Sequence, residues 1–348
     1  MEKAEWKRVA KAVLVLSLLI MLPLASLAEA QEKGKTVELR MATGAKPFQR
    51  FYKAAESWMN LVEKGTNGSV KIKSFPSAQL YDYHELGDPL MSGSIDLALA
   101  TPGTFGKLAP CHALDWIDWG SPDLERGWKM LKKLYEHPEF IAAIDGRFQE
   151  LGVKLLFYIP NAVMRGPLLT NKPVRTIEDL KGLLIYAPSP NVAALVKALG
   201  TSTVFVPTGE VYGALERGTF QGALSLQELY LALKLYEKSK YLVDYTFNGG
   251  MMPFFISLKA WNKLPRDAQK VMLDAAQQVQ TEWFATQVKF DQGVGAGLAE
   301  KLQIITLAPE ERARWDKTMM ATHEKMASTN ARTQKVWKLW NEIKSSEK

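Results

Sequence analysis

The chain is poor in the residues that chemistry usually needs. Cys111 is its only cysteine, so no internal disulfide can form, and the fold must be held by its core. The four histidines, His84, His112, His137 and His323, show no metal-binding spacing such as HExxH. His84 beside Glu85 and His137 near Glu139 read as surface helix residues. The GxSxG nucleophile elbow, the GxxxxGK phosphate loop and the GxGxxG dinucleotide fingerprint are all missing. Nothing asks for a metal, a cofactor or a catalytic centre. Charge of one sign is scarce too: 44 Lys and Arg stand against 37 Asp and Glu, a net +7. No dense basic block interleaves with aromatics, which argues against nucleic-acid binding. The mild excess suits either a solvated surface or attraction of small anions.

What is present begins with a leader. Lys3, Lys7, Arg8 and Lys11 precede the run AVLVLSLLIMLPLASLA, and Ala28-Glu29-Ala30 closes it with a small-x-small pattern. Pro23 interrupts the run before the roughly 20 residues that a membrane span needs. Residues 1–30 are therefore expected to be a cleaved signal peptide of an exported protein, with the mature chain starting near Gln31, the alternative being an uncleaved membrane anchor. The hydrophobic content of 47% is enough for a disulfide-free core.

Beyond the leader, strands alternate with helices. VELRMA predicts a strand, and Phe51, Ala55, Trp58 and Val62 recur at helical spacing up to Gly65. After the Asn67-Gly68 turn, VKIKSF alternates as a half-buried strand does. A helix ending at Gly93 and the apolar segment from Ile95 to Ala100 follow. A second set opens at Val153-Lys154-Leu155-Leu156-Phe157. Thr176 with Asp179 resembles a capping box. Leu183-Leu184-Ile185-Tyr186 reads as a strand, and further strand and helix signals run to Gly218. The pattern predicts an α/β protein with parallel sheets covered on both faces. Apolar positions from Ala268 through Met272, Val279, Trp283, Phe290, Val294 and Leu298 predict a long helix running along two lobes, with glycines 293, 295 and 297 as points where it kinks or ends.

Ligands of open α/β sheets settle at strand tips and helix starts. Thr208, opening Thr208-Gly209-Glu210, sits at such a helix start and reads as its cap.

Five segments occur in a family's order: SFPSAQL, LMSGSIDLALAT, TNKPVRTIEDLKGLLIYAP, ALGTSTVFVPTGEVYGALERGTFQGAL and LPRDAQKVMLDAA. Together they resemble the extracytoplasmic solute receptor of tripartite ATP-independent periplasmic (TRAP) transporters, with Pro207 to Gly222 the most specific piece. The resemblance implies a two-lobed periplasmic binding protein with a hinged cleft that closes over a small molecule. It also implies a membrane permease as partner. The lobes are expected at 31–160 with 251–290, and at 161–250 with 291–348 and its C-terminal helices.

The family's ligand is usually a carboxylate clamped by an arginine in the pattern LKGLKIR-x-P. Tyr186 occupies that place here, and a tyrosine cannot make the forked ion pair. Either another cation replaces the clamp or the ligand is not a simple monocarboxylate; the alternative for Tyr186 is a core residue with a satisfied hydroxyl. Arg165 is the nearest substitute, reaching the cleft or forming a surface or hinge salt bridge. Ser225 stands where the family often has asparagine, and Gln221-Gly222-Ala223-Leu224 replaces an acidic, polar rim, which also makes an acidic metal site less expected. Thr43 with Gly44, and Thr101 with Pro102, end strands at turns that normally border the cleft. Met251 and Met252 either line it or pack in the hinge, and Trp116 and Trp119 either wall it or join the core. The expectation is a receptor for an organic anion with apolar or aromatic surface. A sensor subunit and an exported enzyme on the same scaffold are the competing readings.

Overall fold

The structure is a computed structural model that describes residues 36–82, 85–101, 104–105, 117, 119, 121 and 123–347. The leader, Pro102, Trp116 and two of the histidines lie outside them. In chain order the first elements are β1 (Val37–Ala42), α1 (Arg50–Gly65), β2 (Val70–Phe75), α2 (Gly87–Ser92), β3 (Leu97–Leu99), α3 (Leu124–Tyr135) and α4 (Pro138–Glu150). Then come β4 (Val153–Leu169), α5 (Ile177–Leu180), β5 (Leu184–Tyr186), α6 (Pro190–Ala198), β6 (Ser202–Val204), a 3₁₀ turn at Thr208–Glu210 and α7 (Val211–Glu216). The remainder is β7 (Gly222–Leu226), α8 (Gln227–Ala232), β8 (Tyr241–Val243), β9 (Thr246–Ser257), α9 (Leu258–Trp261), α10 (Arg266–Ala299), β10 (Gln303–Ile305), α11 (Pro309–Ala327) and α12 (Ala331–Ser346).

Local chemistry explains many of these boundaries. The α1 face predicted from spacing is the face that is buried, and the Trp58 indole N–H donates to the Met272 carbonyl at 3.0 Å, tying α1 to α10. The capping box at Thr176 and Asp179 is formed, and Gly182 beyond α5 takes φ +78°, a left-handed conformation natural to glycine.

All the strands join one mixed sheet in the order β2-β1-β3-β9-β4-β7-β5-β6, with β8 pairing both β4 and β10. The outer pairs are parallel, as expected. The centre is not: β3–β9, β9–β4 and β4–β7 are antiparallel. The reason is that β4 and β9 run in opposite directions between the two halves of the molecule. Early β4 and late β9 pair beside β3, while late β4 continues beside β7 and β8. Sequence reading found only the opening five residues of the 17-residue β4.

Helices cover the sheet on both faces, giving each lobe two apolar layers. In the first lobe, Trp58, Phe157 and Phe254 pack beneath α1 and α10. Trp128, Phe140, Phe148 and Phe255 pack beneath α3 and α4 on the other face. In the second lobe, Leu195, Trp315 and Met319 fill the side of α6 and α11, and Val211, Phe220, Val294 and Leu298 fill the other. Each fully buried large side chain contributes roughly 1.5–3 kcal/mol.

The long helix is continuous for 34 residues, about 51 Å at 1.5 Å per residue, and its three glycines lie inside it. Met272 and Val279 serve the first lobe, Val294 and Leu298 the second. The terminal α12, expected with the second lobe, instead places Val336, Leu339, Trp340 and Ile343 in the first lobe's cluster with α3 and α4.

The candidate ligand cleft and its hinge

Where β4 passes from lobe to lobe it bulges. Pro160 pairs with Met251 and Val163 with Gly249, so Asn161 and Ala162 face Gly250 alone. Gly250 is needed there, because a Cβ on it would stand 2.9 Å from the Ala162 carbonyl and 2.8 Å from Leu226 Cδ2. A bulge frees backbone groups, and buried ones must find partners. The long helix supplies them. Val163 N–H donates to Asp291 Oδ1 at 3.1 Å, the Gln287 amide donates to the Asn161 carbonyl, and Tyr158 N–H donates to Gln280 Oε1 at 3.1 Å.

Asp291 is almost wholly buried and accepts three further bonds. The Trp128 indole of α3 donates at 2.6 Å, the Gln227 amide of α8 at 2.9 Å, and the Gln287 amide at 3.1 Å. One carboxylate thus joins elements of both lobes at the bulge. Burial still pushes its pKa above the ordinary aspartate value, against those bonds. Arg50, at the start of α1, reaches the same level of the helix. It donates to Thr286 Oγ1 at 2.7 Å and to the Trp283 carbonyl at 3.2 Å, and lies 4.7 Å from the Phe290 ring centroid. Glu228 of α8 faces Arg50 and Asp291, and burial raises its pKa.

Sequence reasoning missed this group, although a signal was there. Gln287 stands where the apolar stripe between Trp283 and Phe290 should have continued, four residues before Asp291.

Parallel strands β5 and β6 end at Tyr186 and Val204, and β7 runs beside β5 with Tyr186 opposite Ala223. Tyr186 is 3% exposed, its ring stacked on Phe220 at 5.7 Å. Burial pushes its pKa up to about 12, with a counteracting hydrogen bond to the Thr208 side chain. Thr208 is therefore not a helix cap: Pro207 holds the capping position without a side-chain bond, and the Thr208 hydroxyl is turned to Tyr186.

Arg165 of β4 stands opposite Ser225 of β7. Its guanidinium is engaged by Asp244 Oδ1, at 2.7 Å from Nη2 and 3.0 Å from Nε. Gly295 makes room for it, since a Cβ there would stand 3.2 Å from Nη1. The ion pair is thus formed, through Nε and Nη2, and the Nη1 edge of the guanidinium takes no part in it. Tyr230 locks the same corner, its hydroxyl donating to the Arg165 carbonyl or the Ala223 carbonyl and accepting from Ser225 N–H at 2.9 Å.

In the first lobe, Thr43 is fully buried and its Oγ1 accepts from Ala45 N–H at 3.0 Å, which shapes the β1–α1 turn around Gly44. Thr101 follows β3, next to β1. Met251 lies within the first-lobe core, as does Trp119, whose ring meets Trp128 edge-on at 5.3 Å. These two side chains pack rather than line a cleft. The structure brings Tyr186, Thr208, Arg165 and Ser225 together at the strand ends of one lobe, with Thr43, Gly44 and Thr101 at those of the other.

Several buried oxygens at these ends have no hydrogen-bond partner among the described residues: Thr101 Oγ1, Thr104 Oγ1, Asn161 Oδ1, Ser225 Oγ and Gln227 Oε1. Folded proteins rarely leave such groups unpaired, so these oxygens are among the groups that a polar ligand or ordered water could satisfy.

Two α/β lobes, two crossing strands and a helix shared by both define a hinged, two-lobed solute-binding protein. The model of the bacterial extracellular solute-binding protein family 7 matches residues 41–330, and the chain belongs to that family. It is 25% identical over 282 residues to the C4-dicarboxylate-binding periplasmic protein DctP of Rhodobacter capsulatus, covering 79% of this chain and 82% of that one. It is 24% identical over 263 residues to the sialic acid-binding periplasmic protein SiaP of Vibrio cholerae, 75% of this chain and 79% of that one. A TRAP periplasmic solute-binding protein from Desulfovibrio salexigens, solved with bound orotic acid, superposes with a TM-score of 0.78. It shares 25% identity, over 89% of this chain and 99% of that one.

Proposed function

We propose that this protein is the periplasmic receptor of a TRAP-type transporter, that it captures a small organic anion with substantial apolar or aromatic surface, and that it hands this ligand unchanged to membrane permease subunits. Family membership supports the receptor role, and the organic acids named for its relatives support an anionic ligand. The observation that carries the ligand class is Tyr186. The residue at the strand end is neutral and buried, its ring on Phe220 and its hydroxyl bonded to Thr208, with its pKa pushed up to about 12. Such a group neutralises no charge, so an anion bound here needs another cation. The anion's partner in this reading is Arg165, which Asp244 keeps oriented beside Ser225. Its fork suits both oxygens of a carboxylate.

The test is a thermal-shift screen on unfolded and refolded protein, with organic acids, aromatic acids and neutral solutes. A ligand at 100 times its Kd stabilises by about 2.7 kcal/mol. Aromatic or bulky acids are expected to give the shifts, and Arg165→Ala is expected to weaken the best of them more than tenfold. Ligand recovered chemically intact after incubation agrees with capture without turnover. Responses confined to neutral solutes, or an affinity indifferent to Arg165→Ala, would sink the reading.

A further inference from the structure

A cavity of about 410 Å³ opens on the side of α11 and α12, and none of the cleft residues above lines it. Its volume lies within the usual range for small-molecule sites, roughly 300–1,000 Å³. One wall is cationic: Arg126 from the first turn of α3, Arg312 from α11 and Lys344 from α12. The one acid among the described lining residues is Asp316, and its carboxylate already accepts the Tyr245 hydroxyl at 2.8 Å. Arg312 lies 5.3 Å from the Tyr245 ring centroid, its Nη1 donates to the Asp244 carbonyl at 3.4 Å, and it has no ion pair among the described residues. The Arg126 Nε is buried and has no hydrogen-bond partner among them. The opposite wall is apolar, formed by Trp119, Phe247, Met319 and Met320. Trp119 is 2% exposed, and its indole N–H likewise has no partner among the described residues.

The cavity also has a definite place in the architecture. Trp119 belongs to the core layer of the first lobe, and Phe247 and Met319 to that of the second. Whatever occupies it touches both lobes.

We propose that this cavity is a second ligand site, distinct from the cleft, that takes a carboxylate with an aromatic body. The guanidiniums of Arg126 and Arg312 hold the carboxylate, and the Trp119, Phe247 and Met319 side chains receive the ring. Two cationic forks and an apolar wall match such an anion better than they match a bare inorganic one.

Methionine ε-methyl NMR on the full chain reads the site directly, because Met319 and Met320 line it. Met319→Leu and Met320→Leu assign the two signals. The probe is benzoate, raised to about 10 mM to cover a site with a Kd of about 1 mM, with inorganic phosphate as the comparison. Saturable shifts of these two methyls are expected with benzoate, weakened at least tenfold by Arg126→Gln and by Arg312→Gln, and unchanged by Tyr186→Phe in the cleft. Unmoved methyl signals elsewhere show that the variants are folded. No saturable shift, an affinity indifferent to both arginine variants, loss of the response in Tyr186→Phe, or an equal response to phosphate would each overturn the proposal.

Discussion

Asp291 accepts four hydrogen bonds, from the Trp128 indole, the Val163 backbone and the Gln227 and Gln287 amides, with two donors on each oxygen. An asparagine has one oxygen and turns an NH₂ group toward the other two donors, leaving them unpaired. Asp291→Asn is therefore expected to lower stability by about 1–3 kcal/mol, read by urea unfolding. The loss should depend on pH. Burial holds the folded-state pKa of Asp291 above its unfolded value, so its contribution to stability is fully present below the unfolded value and falls as pH rises through the folded one. The gap between the two proteins is thus widest below the unfolded value and narrows as pH rises through the folded one. A gap that widens as pH rises would show that the four donors outweigh desolvation.

The long helix α10 carries glycine at 293, 295 and 297, residues that cost helices about 1 kcal/mol each relative to alanine. They have different surroundings. A Cβ at Gly293 meets nothing within 4 Å, whereas one at Gly295 meets the Arg165 guanidinium. Gly293→Ala is expected to raise stability by about 0.5–1 kcal/mol, and Gly295→Ala to gain less, because the Arg165 tip must shift. Equal gains would show that Gly295 does not serve the arginine. Elements with a clean local period, such as α1, β2 and α10, were legible in the sequence because the face that packs is written in the spacing of Phe51, Ala55, Trp58 and Val62. The capping box at Thr176 was legible for the same reason. The long strand β4 was legible only at Val153–Phe157. Its later residues are mostly buried, include Pro160 and Gly166, and pair with partners about 50 to 95 residues away, so no local pattern announces them. At the candidate site the order of motifs placed Tyr186 and Ser225, but the Asp244 partner of Arg165 and the hydrogen-bonded group around Asp291 depend on contacts between distant segments.

At the scale of the whole molecule, the two lobes share their connections rather than a short linker. Strands β4 and β9 pass through both, α12 returns from the second lobe to pack on the first, and α10 lies against each. If the lobes close on a ligand, the bulge at Asn161–Val163 and Gly249–Gly250, whose freed backbone groups are bonded to the helix, is the expected place of bending. The shared helix has a further consequence, for how the chain melts. Without α10 the first lobe loses the wall made by Met272 and Val279, and the second loses the one made by Val294 and Leu298. Neither half can keep its interior dry alone, so calorimetry is expected to show a single transition with equal calorimetric and van't Hoff enthalpies. Two resolved transitions would mean that each lobe survives the loss of the other. If the transition is single, a cut anywhere along the helix dissolves both lobes together, and neither can be expressed as a stable domain of its own.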